Sequence, residues 1–133
     1  MAEPGAPDIL HDYYRAFSTL EARAILPYFH EPALLISAQG VFPAPDHAVL
    51  SQAFTAIMEG LRAKAFGRSE LHEVNSKGLS ATTALATGIA VRYKRDGQEL
   101  ERVGVTYAMR KGAAGWRIAV LITHDPFAFS PSS

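Results

Sequence analysis

Apolar residues recur at spacings of three and four near the start of the chain and again in its middle. The first set is Ile9, Tyr13, Phe17 and Leu20. The second set is Val49, Leu50, Ala53, Phe54, Ile57, Met58 and Leu61. Such spacing places apolar side chains on one helical face, so we predict a first helix from about residues 7–8 and a long third helix. Asp46 precedes the second set and is a good N-cap for that helix.

The segment between these helices predicts a short helix, a strand and a tight turn. Ser18 and Glu21 have the spacing of a capping box, so we expect them to start a second helix that Pro27 ends or bends. Residues 33–37 form a short apolar run typical of a buried strand, and Gly40 indicates a tight turn after it.

The second half of the chain has the pattern of an antiparallel sheet. Residues 68–75 are read as one strand with a turn near Gly78. Asp96-Gly97 is typical of a two-residue hairpin loop. That loop pairs residues whose numbers add to 193, which sets two basic residues against two acidic ones and so favours this register. The pairs are Lys94 with Glu99 and Arg92 with Glu101.

Extending the register sets small residues of one strand against bulky residues of the next. The pairs are Ala86 with Tyr107, Gly88 with Val105 and Ala90 with Val103. A loop over residues 112–115 then pairs Lys111 with Trp116. Strand alternation from that point predicts one concave, helix-covered face, shared by Tyr107, Met109, Ile118, Val120, Ile122 and His124.

The opposite face of the predicted sheet is flat and too apolar for a surface fully exposed to water. It carries Thr87, Ile89, Thr106, Ala108, Ala119 and Leu121. We interpret this face as the contact of a homodimer. The alternative is that the terminal segment 126–129, with Phe127 and Phe129, covers it.

Length and charge narrow the classes of function. The 133 residues fit one domain, residues 1–133, with an ordered core over about 8–129. The 13 basic and 13 acidic residues cancel, so no net charge favours nucleic acid or an anionic membrane. The absence of cysteine excludes disulfides and thiolate metal sites, and with no signal peptide or membrane-spanning run we expect a cytoplasmic protein.

Four segments of the chain resemble the nuclear-transport-factor-2-like (SnoaL-like, ketosteroid-isomerase-like) superfamily. They are residues 14–17, 24–29, 33–36 and 115–120. The resemblance covers roughly residues 8–125. It implies an α+β fold in which a cone-shaped, curved antiparallel or mixed sheet wraps around three N-terminal helices and encloses a pocket. It supports the fold better than any one activity, because it rests on hydrophobic positions.

The family includes ketosteroid isomerase, and matching its pattern onto this chain implies an altered site. The tyrosine of the first helix that donates to the substrate oxyanion falls on Tyr13. The second donor falls near Tyr107, and the general base falls on Ser37. A serine cannot carry a proton as a carboxylate does, which argues against ketosteroid isomerase activity.

Four residues are candidates for catalysis, each with a structural alternative. Tyr13 and Tyr107 would orient a substrate, or they are core aromatics whose hydroxyls find a backbone partner. His124 at the end of the last strand and His30 before the first would move protons. Alternatively, His124 is a polar strand end and His30 complements a helix dipole. The predicted pocket lining is Phe17, Phe29, Leu35, Ser37, Phe54, Met58, Val105, Met109, Ile118, Val120 and Ile122.

Two functions stay open at this point. One is a small enzyme that acts on a compact, largely apolar molecule by acid–base chemistry. The other is a non-catalytic domain that binds a ligand in the same pocket or a partner protein on the sheet. The five histidines show no metal-site spacing, and no glycine-rich phosphate loop is present, so we expect neither a metal nor a cofactor.

Overall fold

Three helices and six strands make up residues 5–128, the part of the chain that the computed structural model describes. One mixed sheet has the strand order β2-β1-β6-β5-β4-β3, with β1 and β6 parallel and the other neighbours antiparallel. The elements are α1 (Ala6–Phe17), α2 (Ala22–Ile25) with a 3₁₀ turn (Leu26–Tyr28), β1 (Phe29–Ser37), β2 (Gly40–Ala44), α3 (His47–Ala63), β3 (Phe66–Gly78), β4 (Thr83–Lys94), β5 (Glu99–Gly112) and β6 (Gly115–His124). The curved sheet is not closed, since β2 and β3 are its two edges, and the predicted α+β architecture is confirmed.

The long helix α3 forms as its sequence pattern predicts. Asp46 caps it, because the Oδ1 atom accepts a hydrogen bond from the Val49 backbone N–H at 3.0 Å. The buried face of α3 packs into the hydrophobic core through Leu50, Phe54, Met58 and Leu61.

The predicted capping box after α1 is wrong. No side chain caps α2 at Glu21. Ser18 instead ends α1, where its hydroxyl donates to the Tyr14 carbonyl at 2.9 Å and accepts from the Ser69 backbone N–H at 2.9 Å. Ser18 therefore ties α1 to β3, a contact between residues distant in sequence that no local pattern could indicate.

The predicted β4–β5 register is confirmed over most of its length. Ala86 faces Tyr107, Gly88 faces Val105, and Arg92 faces Glu101. The pairing of Lys94 with Glu99 is wrong, because a bulge moves Tyr93 opposite Glu99. The loop has three residues rather than two: Lys94 N–H donates to the Gln98 carbonyl at 2.7 Å, and Gly97 takes a φ of 91° that glycine adopts readily.

A second bulge changes which face of β6 lies inside. The predicted pairing holds from Lys111 with Trp116 to Met109 with Ile118, but the next pair is Ala108 with Val120. Ala119 is the extra residue of this bulge. A one-residue shift moves every following side chain to the other face of the sheet.

The bulge corrects several predicted orientations. Leu121 pairs with Tyr107 and is buried on the concave face, although the sequence pattern placed it outside. Three residues predicted to be concave lie on the convex face: Val120, Ile122 and His124. Phe127, an alternative cover for the convex face, is 60% exposed, while Phe129 lies outside the described residues.

Candidate functional site

A cavity of about 550 Å³ lies between α1, α3 and the concave face of the sheet. Its walls are mostly apolar, and a volume of this order suits a small organic molecule. The apolar lining comes from α1, α3 and five strands, and it includes Phe17, Leu35, Phe42, Ala53, Phe54, Ile57, Ala90, Val105 and Leu121.

Two tyrosine hydroxyls meet at the buried end of the cavity. The hydroxyl oxygens of Tyr14, on α1, and Tyr107, on β5, are 2.5 Å apart and share a hydrogen bond. Tyr13 also lines the cavity, and its ring contacts those of Tyr14 and Tyr107 edge-on at centroid distances of 5.2 and 6.4 Å. Opposite Tyr107 on β4 is Ala86, which is itself buried and leaves room for the large ring.

Burial keeps these phenols protonated. Loss of hydration raises the pKa of Tyr14 to about 12, although the hydrogen bond with Tyr107 and the positive charge of Arg92 act in the opposite direction. Burial also raises the pKa of Tyr13 and the pKa of Tyr107. At neutral pH the three hydroxyls are therefore hydrogen-bond donors and acceptors rather than bases.

Arg92 brings a positive charge into the lining. It extends from β4 on the same face as Ala90, and its guanidinium carbon lies 5.8 Å from the centre of the Phe17 ring. One terminal nitrogen lies 3.5 Å from a carboxylate oxygen of Glu101, its neighbour on β5. The Nε atom is buried, and no acceptor among the described residues bonds to it.

The opposite end of the cavity reaches the surface at the β1–β2 turn. Ser37 lines it there, and its hydroxyl donates to Gln39 Oε1 at 3.0 Å. Phe42 on β2 and Ile57 on α3 are each 41% exposed although both line the cavity. These side chains mark the mouth and make it apolar.

The family model described as NTF2-like protein (DUF6841) matches residues 2–126, nearly the whole chain. The chain belongs to this NTF2-like family. None of the curated proteins matches it. The family assignment agrees with the resemblance that the sequence carries.

Solved structures with the same fold support this NTF2-like architecture. One is a protein of unknown function with a cystatin-like fold from Nostoc punctiforme, with a TM-score of 0.72, 17% identity, and coverage of 94% of this chain and 96% of that one. An NTF2-like protein from Novosphingobium aromaticivorans has a TM-score of 0.73, 16% identity and coverage of 94% and 81%. A ketosteroid isomerase-like protein from Erwinia carotovora atroseptica has a TM-score of 0.65, 18% identity and coverage of 88% and 90%. At these identities the likeness extends to the fold alone.

The predicted pocket residues of this NTF2-like protein separate into three groups. Those in the cavity lining are Tyr13, Phe17, Leu35, Ser37, Phe54, Val105 and Tyr107. Those buried in the core outside the lining are Phe29, Met58, Met109 and Ile118. Val120 and Ile122 are on the convex face because of the bulge at Ala119. Whether any lining residue binds a ligand stays a prediction.

The two candidate histidines lie away from the cavity of the NTF2-like fold. His124 bonds through Nε2 to the Thr106 hydroxyl at 2.8 Å and through Nδ1 to the Asp125 carbonyl at 2.9 Å. Its ring lies over Gly104 on the convex face, where a Cβ atom would come within 2.5 Å of Nδ1. His30 bonds through Nδ1 to the Pro32 carbonyl at 2.9 Å. Neither ring lines the cavity, so neither is placed to move a proton there.

Sequence reasoning missed Tyr14 and Arg92. Tyr14 is four residues after Leu10 and one after Tyr13, so an inward face wide enough for Leu10, Tyr13, Tyr14 and Phe17 would have included it. Arg92 has the same strand parity as Ala90, but the charge pattern of the sequence indicates it only as a partner of Glu101. The three residues that the isomerase match highlighted all line the cavity, but the hydroxyl bonded to Tyr107 is that of Tyr14 rather than that of Tyr13.

Residues 5–128 contain neither a cluster suited to a metal ion nor a membrane-spanning helix. No three histidine, aspartate or glutamate side chains there lie close enough together to hold a metal ion. No helix within the described range is long and apolar enough to cross a membrane.

Proposed function

We propose that the cavity binds a small, largely apolar molecule and orients it by hydrogen bonds from tyrosine hydroxyls. The observation that carries this proposal is an apolar cavity of about 550 Å³ with Tyr14 and Tyr107 hydrogen-bonded at its buried end. Apolar walls with a few convergent polar groups are typical of ligand sites. The apolar mouth at Phe42 and Ile57 supports entry of such a molecule.

Binding without catalysis fits this cavity better than acid–base chemistry. A proton-transfer site needs a group that changes protonation near neutral pH within reach of the substrate. Among the described residues, the lining contains no carboxylate and no histidine. Ser37, at the position of the isomerase base, is hydrogen-bonded to Gln39.

Filling the cavity tests the proposal. Ala53 lines the cavity from α3, whereas Ala56, three residues further along the same helix, is exposed outside it. We expect Ala53→Trp to weaken binding of the neutral fluorescent probe N-phenyl-1-naphthylamine by about tenfold or more, because the indole occupies the cavity. Fluorescence titration measures the affinity.

Ala56→Trp is the matched control and should bind the probe as the parent protein does. Equal weakening in both variants, or an unchanged affinity in Ala53→Trp, would show that the probe does not enter this cavity. Thermal unfolding of the three proteins would separate a local effect from a loss of fold.

We further propose that the convex face forms a homodimer contact. Its partly exposed residues are Leu85, Thr87, Thr106, Ala108, Val120 and Ile122. Leu85, which faces Ala108, is 41% exposed, and such apolar area on a sheet is favourable to cover. Two of the predicted contact residues are excluded: Leu121 lies in the cavity wall, and Ile89 is already buried within the chain, at 7% exposure. The cytoplasmic location stays a prediction.

A further inference from the structure

Arg92 differs from the other polar groups of the cavity because it carries a full positive charge. Arg92 lines the cavity, and among the described lining residues it has no carboxylate beside it. Its nearest acid, Glu101, comes from outside the lining at 3.5 Å. Charge-assisted hydrogen bonds from a guanidinium to a carboxylate are shorter, at about 2.7–2.9 Å. The pair with Glu101 is therefore loose.

One donor of this guanidinium has no protein partner. The Nε atom is buried and unbonded within the described part of the chain, although most buried polar atoms in proteins are bonded. The positive charge also acts on the phenol end of the cavity, since it lowers the pKa of Tyr13, of Tyr14 and of Tyr107 against the larger effect of burial. Arg92 thus places a full positive charge, only loosely paired with Glu101, in the lining of an otherwise apolar space.

A guanidinium has donors in a planar fork that matches the two oxygens of a carboxylate. In a cavity with low dielectric, a singly charged acid gains more from that fork than a neutral oxygen does. The apolar walls favour a hydrocarbon body, and the Phe17 ring beneath the guanidinium would continue that surface.

We propose that the ligand is an amphipathic monocarboxylate, an aromatic or alicyclic acid whose carboxylate binds Arg92 while its body fills the apolar cavity. This inference rests on the proposed function and adds the chemical class of the ligand. Glu101 competes with the ligand for the guanidinium and so limits the affinity.

Matched acids and amides test the class of ligand. Benzoate, naphthalene-2-carboxylate and biphenyl-4-carboxylate are each compared with the corresponding neutral amide by isothermal titration calorimetry at neutral pH. We expect at least one acid to bind about tenfold tighter than its amide, the gain typical of a charge-assisted hydrogen bond. Equal affinities for acid and amide would overturn the carboxylate proposal and leave the proposed function intact. No binding by any of the six would overturn both.

Two variants assign the preference to Arg92. Arg92→Gln should abolish the preference for the acid and keep amide binding, which also reports that the cavity is intact. Glu101→Gln should strengthen acid binding severalfold and leave amide binding unchanged, because it removes the competing carboxylate. If Arg92→Gln does not fold, the Glu101→Gln variant tests the proposal by itself. Unchanged or weaker acid binding by Glu101→Gln would overturn the proposal.

Arg102→Gln is the matched control. Arg102 neighbours Glu101 on β5, but its guanidinium bonds Glu99 at 2.9 and 3.0 Å outside the cavity lining. The acid preference should persist in this variant. A loss equal to that of Arg92→Gln would mean that overall charge, rather than a contact in the cavity, attracts the acid.

Discussion

At the scale of single residues, the cavity owes its character to a few polar groups in an apolar wall. Tyr14 and Tyr107 share one hydrogen bond at the buried end, in which one hydroxyl donates and the other keeps its own proton for a further acceptor. Arg92 is not satisfied in the same way, because its Nε atom has no acceptor among the described residues. The hydrogen-bonded tyrosines make the buried end rigid, whereas the incompletely paired arginine makes the cavity prefer a ligand that can accept its hydrogen bonds.

The buried phenols predict a loss of stability at alkaline pH. A raised folded-state pKa means that the unfolded chain releases the tyrosine proton first, at about pH 10, so the stabilisation is complete below that pH. It decreases as the pH rises from 10 towards 12, the folded pKa of Tyr14. In that pH window, each buried tyrosine with a raised pKa lowers the free energy of unfolding by about 1.4 kcal/mol per pH unit.

Urea unfolding at pH 8, 10 and 11 measures this effect. The parent protein should lose stability more steeply above pH 10 than Tyr14→Phe, which has one fewer buried phenol to ionise. The difference between the two proteins at pH 8 is the reference, since it contains the packing cost of the substitution without ionisation. Parallel pH profiles would contradict the assigned burial.

At the scale of elements, local patterns predicted what local interactions determine. The Asp46 cap and the spacing of apolar residues indicated α3, and the facing charges of Arg92 and Glu101 indicated the β4–β5 register. The face of β6 could not be predicted, because the bulge at Ala119 lies in an apolar run where either phase of the alternation looks equally buried. That one residue moved Leu121 into the cavity wall and took His124 out of it.

Two neighbouring substitutions test the bulged register. Leu121→Lys should cost about 3 kcal/mol or more, since it removes a buried side chain and puts a charge into the core. Ile122→Lys, on the convex side, should cost the folded monomer about 1 kcal/mol or less. Chemical unfolding compares them. An unbulged strand predicts the opposite order, so a larger loss from Ile122→Lys would contradict the structure.

At the scale of the whole molecule, the two faces of the sheet differ in what covers them. The concave face and the helices enclose the cavity, whereas the convex face has no element of residues 5–128 packed over its apolar part near Leu85 and Ala108. Polar side chains cover another part, where Glu70 bonds His72 at 2.9 Å and Arg68 at 2.7 Å. A second copy would therefore be expected to cover the apolar part and leave the mouth of the cavity open.

The oligomeric state of the protein tests this division. We expect the parent protein to be a dimer by sedimentation velocity, and Ala108→Glu to shift it to monomer, because the substitution puts a charge into the apolar contact surface of both copies. Val41→Glu is the control: Val41 is 63% exposed but lies on the edge strand β2, so the dimer should persist. A monomeric parent protein would refute the contact, whereas a dimer broken by Val41→Glu and not by Ala108→Glu would move it to the sheet edge. Retained binding of N-phenyl-1-naphthylamine by the monomeric variant would then show that each cavity functions without a partner.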